Sequence, residues 1–111
     1  MHFFTVLSDP VRRRIVERLM DSSMSSGDIV DVVGGEFGIS QSAISQQLKI
    51  LRENRFAKVV PDGSRRIYSL DSAGFEDLDK WLVPFRKFWD PKFASLAGEV
   101  ARGKRKRKRD A

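Results

Sequence analysis

One stretch constrains the fold of this chain more than any other: residues 39–51, ISQSAISQQLKIL. Ser40 is a good helix N-cap, and the residues after it predict about three helical turns. At about 100° per residue, Ile44, Leu48 and Leu51 fall within an arc of about 60°, which is the apolar stripe of an amphipathic helix. The stretch is therefore expected to be a helix that packs against a core along one face.

The opposite face of this helix has an unusual chemistry. Ser42, Ser45 and Gln46 carry hydroxyl and carboxamide groups, and Lys49 is the one charged residue beside them. An ordinary solvated face usually carries Glu–Lys pairs that support the helix, whereas groups that both donate and accept hydrogen bonds suit base edges in the DNA major groove. The stretch alone leaves two interpretations open, a DNA-reading helix and an ordinary surface helix.

Composition excludes several classes of function. The chain has 111 residues, which allows one domain with a core that would gain from dimerisation. It contains no cysteine, and its single histidine is His2, so no convincing catalytic constellation, zinc site or disulfide can be assembled. No apolar run is long enough to cross a membrane, and no signal peptide is visible. We therefore expect a cytoplasmic protein that is not an enzyme and needs no metal or other cofactor.

The net charge of +6 is unevenly distributed along the chain. Residues 102–110 hold seven basic residues and one acidic residue, so residues 1–101 are neutral overall. Within them, residues 49–70 carry six basic and two acidic residues, whereas residues 1–48 and 71–101 each sum to −2. Positive charge directly after the opening helix is the electrostatic footprint expected of a nucleic-acid surface.

An N-terminal helix is predicted to begin at Asp9-Pro10. Asp9 is a good N-cap, and proline at the first helical position has no N–H to leave unpaired. The helix is expected to run to about residue 20, preceded by a short apolar segment over residues 3–7 that should dock on the rest of the chain. Its three arginines at positions 12–14 are either phosphate contacts or solvated charges.

A short helix is predicted over residues 26–34. Ser25 and Asp28 have the spacing of a capping box, and Gly34-Gly35 is expected to end the helix. The Gly-rich run that follows lacks the preceding strand and the spacing of a phosphate-binding loop. Two short helices joined by a Gly-containing turn form a helix-turn-helix, in which the second helix, residues 40–54, is the reader.

A β-hairpin is predicted next. Residues 56–60 and 66–70 are rich in β-forming residues and flank a five-residue turn, PDGSR. A basic hairpin directly after a helix-turn-helix forms a winged helix. Lys58, Arg65 and Arg66 either reach phosphates or the adjacent minor groove, or serve the solubility of the hairpin.

A last long helix, capped by Asp71, carries a seam of apolar residues. Their spacing is close to a heptad, and the seam holds more aromatic residues than a small domain buries alone. The expected partner is the same helix of a second copy, together with Phe3-Phe4, and an aromatic ligand pocket is the alternative. The seam consists of Phe75, Leu78, Leu82, Phe85, Trp89, Phe93 and Leu96, with Trp81 and Phe88 alongside.

Two features are predicted towards the C-terminus. Pro84 should kink the last helix, and Asp90-Pro91 repeats the cap-then-proline signature and predicts a break. Residues 1–101 are expected to form the winged-helix domain, followed by a disordered basic tail over residues 102–111. The tail either contacts DNA phosphates or acts as a solubility tail.

Taken together, LSDPVRRRIVERL at residues 7–19 and SQSAISQQLKIL at residues 40–51 strongly resemble the ArsR/SmtB family of bacterial winged-helix repressors. GSRRIY at residues 63–68 resembles the wing of the same family, and the resemblance covers about residues 3–97. It implies a mainly α fold with a small β-hairpin, in the order α-α-α-α-β-β-α, that dimerises through its first and last helices. It also implies that two reader helices bind a palindromic DNA operator and repress nearby genes.

The resemblance implies base contacts by Gln41, Ser42, Ser45 and Gln46. At Gln47 many members have a histidine; here the position lies at the edge of the buried stripe, where packing is the expected role. The candidate DNA-binding residues are Ser40, Gln41, Ser42, Ser45, Gln46 and Lys49 on the reader helix, with Arg52, Lys58, Arg65 and Arg66 on the wing and its flanks. The candidate dimer-interface residues are Phe3, Phe4, Leu7, Leu78, Trp81, Leu82, Phe85, Phe88, Trp89 and Phe93.

The sequence departs from the family in its sensing residues. Many members bind metals through cysteines before the reader helix or through Asp/His sets on the last helix, but residues 26–34 contain no Cys and residues 71–101 no His. This implies the non-metal-sensing branch, in which a small-molecule inducer is compatible with the sequence but not identified by it. Two other functions stay open: a non-specific architectural DNA binder that relies on the basic tail, and a protein-interaction module that uses the aromatic last helix.

Overall fold

The computed structural model describes residues 1–92, so Phe93, Leu96 and the basic tail lie outside the described residues. Its contacts group the chain into two units, one of residues 1–78 and one that begins at Asp79. The elements are α1 (Phe3–Ser8), α2 (Pro10–Asp21), β1 (Met24–Ser25), α3 (Ser26–Ile29), a π-helical turn (Val30–Gly34), α4 (Gly35–Phe37), α5 (Gln41–Glu53), β2 (Ala57–Asp62), β3 (Arg65–Leu70), α6 (Ser72–Leu82) and a 3₁₀ helix (Val83–Phe88). This order confirms the predicted winged helix-turn-helix.

The N-terminal part folds as its caps predict. The short apolar segment forms α1, and Val6 is completely buried. The Asp9 carboxylate accepts the backbone N–H groups of Val11 at 2.8 Å and Arg12 at 3.1 Å, and proline occupies the first position of α2. Both N–H groups belong to the first turn of the helix, where no intrahelical acceptor exists.

The first helical segment of the helix-turn-helix comprises residues 26–37 and is longer than predicted. Gly34-Gly35 does not end it, because the π-helical turn runs through Gly34 and α4 continues to Phe37. The segment ends at Gly38, whose φ of +63° is the left-handed conformation of a helix C-cap. Gly34 serves close packing instead, since a Cβ there would lie 3.3 Å from the Ile39 carbonyl oxygen.

The wing carries a third strand that was not predicted from the sequence. β1 pairs antiparallel with β3, with Met24 opposite Tyr68 and Ser25 opposite Ile67, so the sheet order is β1-β3-β2. A strand of two residues is too short to show the alternating pattern by which strands are recognised. Ser25 also caps α3, since its Oγ accepts the backbone N–H of Asp28 at 3.1 Å. Through the β1–β3 pairing and the Ser25 cap, the wing is connected to the start of the helix-turn-helix.

The hairpin loop is tighter than the predicted five-residue turn. β2 and β3 pair as far as Asp62 and Arg65, which leaves Gly63-Ser64 as a two-residue loop. Gly63 has φ +63° at the first loop position, as the turns that match the twist of hairpin strands require. Pro61 lies in β2 rather than in the turn, and it is tolerated there because β2 is an edge strand.

The predicted apolar stripe of α5 is confirmed as part of the core. Ile44, Leu48 and Leu51 are 0%, 2% and 0% exposed. They belong to one cluster of buried side chains that also draws on α1, α2, the first helical segment and the sheet. Phe56, directly before β2, is 1% exposed, and its ring meets the Phe75 ring of α6 edge-on with centroids 4.9 Å apart. Burial on one side fixes which face of α5 points outward.

The C-terminal helices begin and break where their caps and prolines predict. The Asp71 carboxylate accepts the backbone N–H of Ala73 at 3.0 Å at the start of α6. α6 ends two residues before Pro84, and the chain continues as a 3₁₀ helix. The kink predicted at Pro84 is this change from α-helix to 3₁₀ helix. The Asp90 carboxylate accepts the N–H of Lys92 at 3.0 Å, and helical backbone resumes at the intervening proline.

Candidate nucleic-acid interface

The outward face of α5 is one continuous exposed surface. Ser40 caps the helix as predicted, because its Oγ accepts the backbone N–H of Ala43 at 3.1 Å. The Ser42 hydroxyl lies 3.1 Å from the same Oγ, which holds the two hydroxyls together at the start of the helix. All six reader-helix residues predicted from the sequence are exposed and line a single shallow depression: Ser40, Gln41, Ser42, Ser45, Gln46 and Lys49.

The face offers hydrogen-bonding groups with little fixed charge. Its lysine, Lys49, has its Nζ 3.9 Å from the Glu53 Oε1, one helical turn further along. Exposed pairs of this kind contribute only a few tenths of a kcal/mol, about 0.3–0.5. The ammonium of Lys49 can therefore leave its partner for a stronger acceptor, while the hydroxyls and carboxamides remain to donate and accept.

A neighbouring depression joins the reader helix to the first helical segment. Gln41 and Ser45 also line a second, more polar depression with Ser26, Gly27 and Asp31 from the first helical segment. Sequence reasoning did not include these three residues. The signal that would have found them is the helix-turn-helix itself, which places the start of its first helix beside the reader helix.

The wing residues lie at the exposed surface of the hairpin. Lys58 and Arg66 are exposed on β2 and β3, whereas Arg52, at the end of α5, is half-buried. Arg65 is exposed, and its Nη2 lies 3.6 Å from the Asp28 Oδ2 of α3. This exposed ion pair connects the wing to the helix-turn-helix, and it is weak enough for the arginine to exchange the carboxylate for a phosphate.

Arg12 is not at the surface, so both interpretations offered for it, a phosphate contact and a solvated charge, are wrong. The residue is 8% exposed. The Nε donates to the Val6 carbonyl oxygen at 2.6 Å, and Nη2 donates to the Thr5 carbonyl oxygen at 3.0 Å. The Nη1 donates to Oε1 of Gln47 on the reader helix at 2.7 Å. Gln47 therefore has a hydrogen-bonding role in addition to the packing predicted for it.

The two neighbouring arginines also have partners within the chain. Nη1 of Arg13 donates to the carbonyl oxygens of Leu7 at 2.8 Å and Ser8 at 2.9 Å. Arg14 forms a two-point contact with the Glu36 carboxylate, at 2.8 Å and 3.2 Å. That hydrogen bond lowers the pKa of Glu36 and raises the pKa of Arg14.

Large apolar side chains are exposed at both ends of the described chain. Trp81 and Phe85 place their ring centroids 4.8 Å apart, and Phe88 is 75% exposed. Of the residues predicted for a dimer interface, Phe93 lies outside the described residues. The exposed ones are Phe4, Trp81, Phe85, Phe88 and Trp89, and the half-buried ones are Phe3, Leu7, Leu78 and Leu82.

Residues 1–92 hold neither a cluster of metal-ligating side chains nor a membrane-spanning helix. In this part of the chain, no group of three or more His, Cys, Asp or Glu side chains lies close enough to hold a metal ion. No helix within the same range is long and apolar enough to cross a membrane.

Comparison with known proteins places these elements in a family. Residues 9–59, which run from the cap of α2 into β2, match the model described as bacterial regulatory protein, arsR family. The transcriptional repressor SdpR of Bacillus subtilis is 35% identical to this chain over 85 residues, which are 74% of this chain and 87% of that protein. The chain belongs to the ArsR family.

Two further comparisons agree with this membership. The HTH-type transcriptional regulator Rv2034 of Mycobacterium tuberculosis is 37% identical over 79 residues, 68% of this chain and 70% of that protein. A crystal structure described as a possible transcriptional regulator for arsenical resistance superposes with a TM-score of 0.63 at 29% identity, covering 89% of this chain and 96% of that one. As a member of the ArsR family, the chain is a transcriptional regulator with a helix-turn-helix DNA-binding domain, and it is not an enzyme.

Proposed function

We propose that this ArsR-family regulator is a cytoplasmic, homodimeric repressor whose α5 reads the bases of a palindromic operator. The observation that supports the proposal is the exposed face of α5, where six hydrogen-bonding side chains line one depression while the opposite stripe is buried. Such groups distinguish base pairs in the major groove. The cations on the wing and its flanks, Arg52, Lys58, Arg65 and Arg66, contact phosphates, which give affinity without sequence preference.

Exposed apolar side chains support the homodimer. Phe88 and Trp89 are 75% and 57% exposed, and Phe4 on α1 is exposed as well. Aromatic surface of this extent is costly to leave in water and is typical of a protein interface. A second copy of the chain covers the exposed side chains of α1 and those of the C-terminal helices. Two reader helices related by a two-fold axis then require an operator with two-fold symmetry.

The residue types present support a repressor without a metal-sensing site. The sequence has no cysteine, and its single histidine is His2, next to the N-terminus. Thiolate and imidazole groups, together with carboxylates, are the ligands by which proteins hold zinc and similar ions. In this chain thiolates and imidazoles cannot supply a site beside the reader helix or on the last helix, so the signal that releases the repressor from DNA is not a thiolate-bound metal.

A selection experiment tests the proposal as a whole. The full chain is used to enrich binding sites from a pool of random DNA duplexes, and the enriched sequences are aligned. We expect a consensus with two-fold symmetry and half-site centres about 10 bp apart, one turn of DNA. A consensus without symmetry would contradict the homodimer, and the failure of any sequence to enrich would contradict base reading.

Two substitutions then test the reader helix. Ser45→Ala and Gln46→Ala each remove a side chain of the outward face, and each is expected to weaken binding to the selected operator by about 1–3 kcal/mol, the range for a lost base contact. Binding to random duplex should stay unchanged, because the phosphate contacts remain. Fluorescence anisotropy at fixed salt measures both, with Ser23→Ala, an exposed serine between α2 and β1, as the matched control. Operator binding at the wild-type level by both variants would show that α5 is not the reader.

A further inference from the structure

Two consecutive arginines of α2 cap the C-terminus of α1. The last four carbonyl groups of a helix have no intrahelical partner, and in the six-residue α1 they make up most of the helix. Arg12 donates to the first two of them and Arg13 to the second two. The four carbonyls are those of Thr5, Val6, Leu7 and Ser8, and the Thr5 carbonyl also accepts the Ser8 hydroxyl at 2.7 Å.

Arg12 also donates a hydrogen bond to the reader helix, α5. The hydrogen bonds of the Arg13 side chain are to α1. The third hydrogen bond of Arg12, from Nη1 to the Gln47 Oε1 at 2.7 Å, joins positions 35 residues apart in the chain. The Arg12 side chain is buried, and the Asp9 Oδ2 that partly offsets its charge lies 4.0 Å away. A charged donor bound at three points in a poorly solvated site holds its acceptors more firmly than an exposed one does.

Gln47 lies on α5 between the outward face and the buried stripe, where a hydrogen bond can refine the rotation that core packing sets. It directly follows Ser45 and Gln46 of the outward face, and it is half-buried beside Leu48 of the core stripe. Side-chain ends lie about 5–6 Å from a helix axis, so a rotation of about 20° displaces them by about 2 Å. Base-edge hydrogen bonds tolerate a donor–acceptor range of only about 0.5 Å. A rotation of this size would therefore break them while leaving long, flexible phosphate contacts intact.

We propose that Arg12 is a positioning residue for base reading. Its bond to Gln47 holds α5 at the rotation in which the outward face meets the bases, and its bonds to α1 anchor that rotation to the N-terminal helix. The inference rests on the proposed function, because it assumes that α5 reads an operator. It assigns to one buried arginine a contribution to sequence preference, separate from phosphate affinity.

The experiment compares operator preference, defined as the Kd for random duplex divided by the Kd for the selected operator. Gln47→Met keeps the length of the side chain and removes the acceptor, so we expect the preference to fall about 3- to 30-fold, the effect typical of a coupling residue. The Kd for random duplex should stay within about twofold of wild type. Gln47→Glu retains an acceptor for Arg12. It is expected to keep the wild-type preference, because its added negative charge raises the Kd for random duplex and the Kd for operator by the same factor.

Arg13→Met is the matched control, since it removes a cap from the same helix without touching Gln47. We expect it to lower the thermal unfolding midpoint and to leave the preference unchanged. The proposal is overturned if Gln47→Met keeps the wild-type preference, if Gln47→Glu loses as much preference as Gln47→Met, or if Arg13→Met loses it as well. Failure of the proposed function is recognised separately, because the wild-type chain itself would then show no preference for any duplex.

Discussion

Gly74, near the start of α6, lies where the chain has no room for a side chain. A Cβ at this position would lie 2.8 Å from two ring atoms of Phe56 and 2.9 Å from the Arg55 carbonyl oxygen. Phe56 is among the largest completely buried side chains and cannot move without disturbing the core. We expect Gly74→Ala to lower the free energy of unfolding by about 1–3 kcal/mol, the usual cost of overpacking, measured by urea denaturation.

Gly35→Ala is the matched control for this prediction. Gly35 has right-handed helical backbone angles, φ −63° and ψ −44°, and no atom lies within 4 Å of an added Cβ. Alanine is expected to stabilise the helix by about 0.5–1 kcal/mol relative to glycine there. Equal destabilisation by the two substitutions would show that close packing is not the reason for Gly74.

Single residues were predictable from the sequence where their partners are near in the chain. Asp9 and Ser40 bind backbone groups two or three residues away, so both caps can be predicted from the local sequence. Arg12 and Arg13 are chemically identical neighbours, and nothing local tells the buried one from the exposed one. The difference is the acceptor on Gln47, which only the tertiary fold brings to Arg12.

At the scale of elements, an ion pair connects α2 to the first helical segment of the helix-turn-helix, and its pH dependence can be tested. The hydrogen bond from Arg14 lowers the pKa of Glu36 below its ordinary value. Because the folded pKa is the lower one, the stabilisation is present above the pKa of the unfolded chain and is lost as the pH falls through the folded value. An NMR titration of the Glu36 carboxyl group should give a lowered pKa in the wild type and a higher one in Arg14→Gln.

Salt supplies the control for this titration. The pair is exposed, so about 1 M salt should screen it and reduce the difference between the two proteins. Identical pKa values for Glu36 in the wild type and in Arg14→Gln at low salt would show that Arg14 does not hold the carboxylate in solution.

Whole elements were predictable where periodicity and caps agree, as in α2, α5 and the start of α6. The mispredicted boundaries depend on distant partners. β1 exists because β3 offers an edge to pair with, and no two-residue segment reveals that by itself. The two glycines at 34 and 35 suggested a helix end, but tight packing against the Ile39 backbone explains Gly34 and leaves the termination to Gly38. In the candidate interface, the polar face of α5 was predictable from the sequence. The depression that Ser26 and Gly27 line beside α5 was not.

At the scale of the whole molecule, most of the positive charge and the proposed base-reading face lie in different parts of the chain. Residues 1–101 are neutral, with their positive charge concentrated in residues 49–70, whereas residues 102–110 alone account for the net charge of +6. The reading face of α5 contributes a single lysine. Sequence preference and total phosphate affinity should therefore respond to different changes in the protein.

Removal of residues 102–111 tests this separation. The segment holds seven basic residues, and each neutralised phosphate contributes about 0.9 to the slope of log Kd against log salt concentration. We expect the truncated chain to show a slope reduced by at most about 6 and weaker binding to every duplex, measured by fluorescence anisotropy across a salt series. The preference for operator over random duplex should persist, because the α5 face is unchanged. If the preference disappears with the segment, the chain binds DNA as an architectural protein, and the division between reading helix and basic tail is wrong.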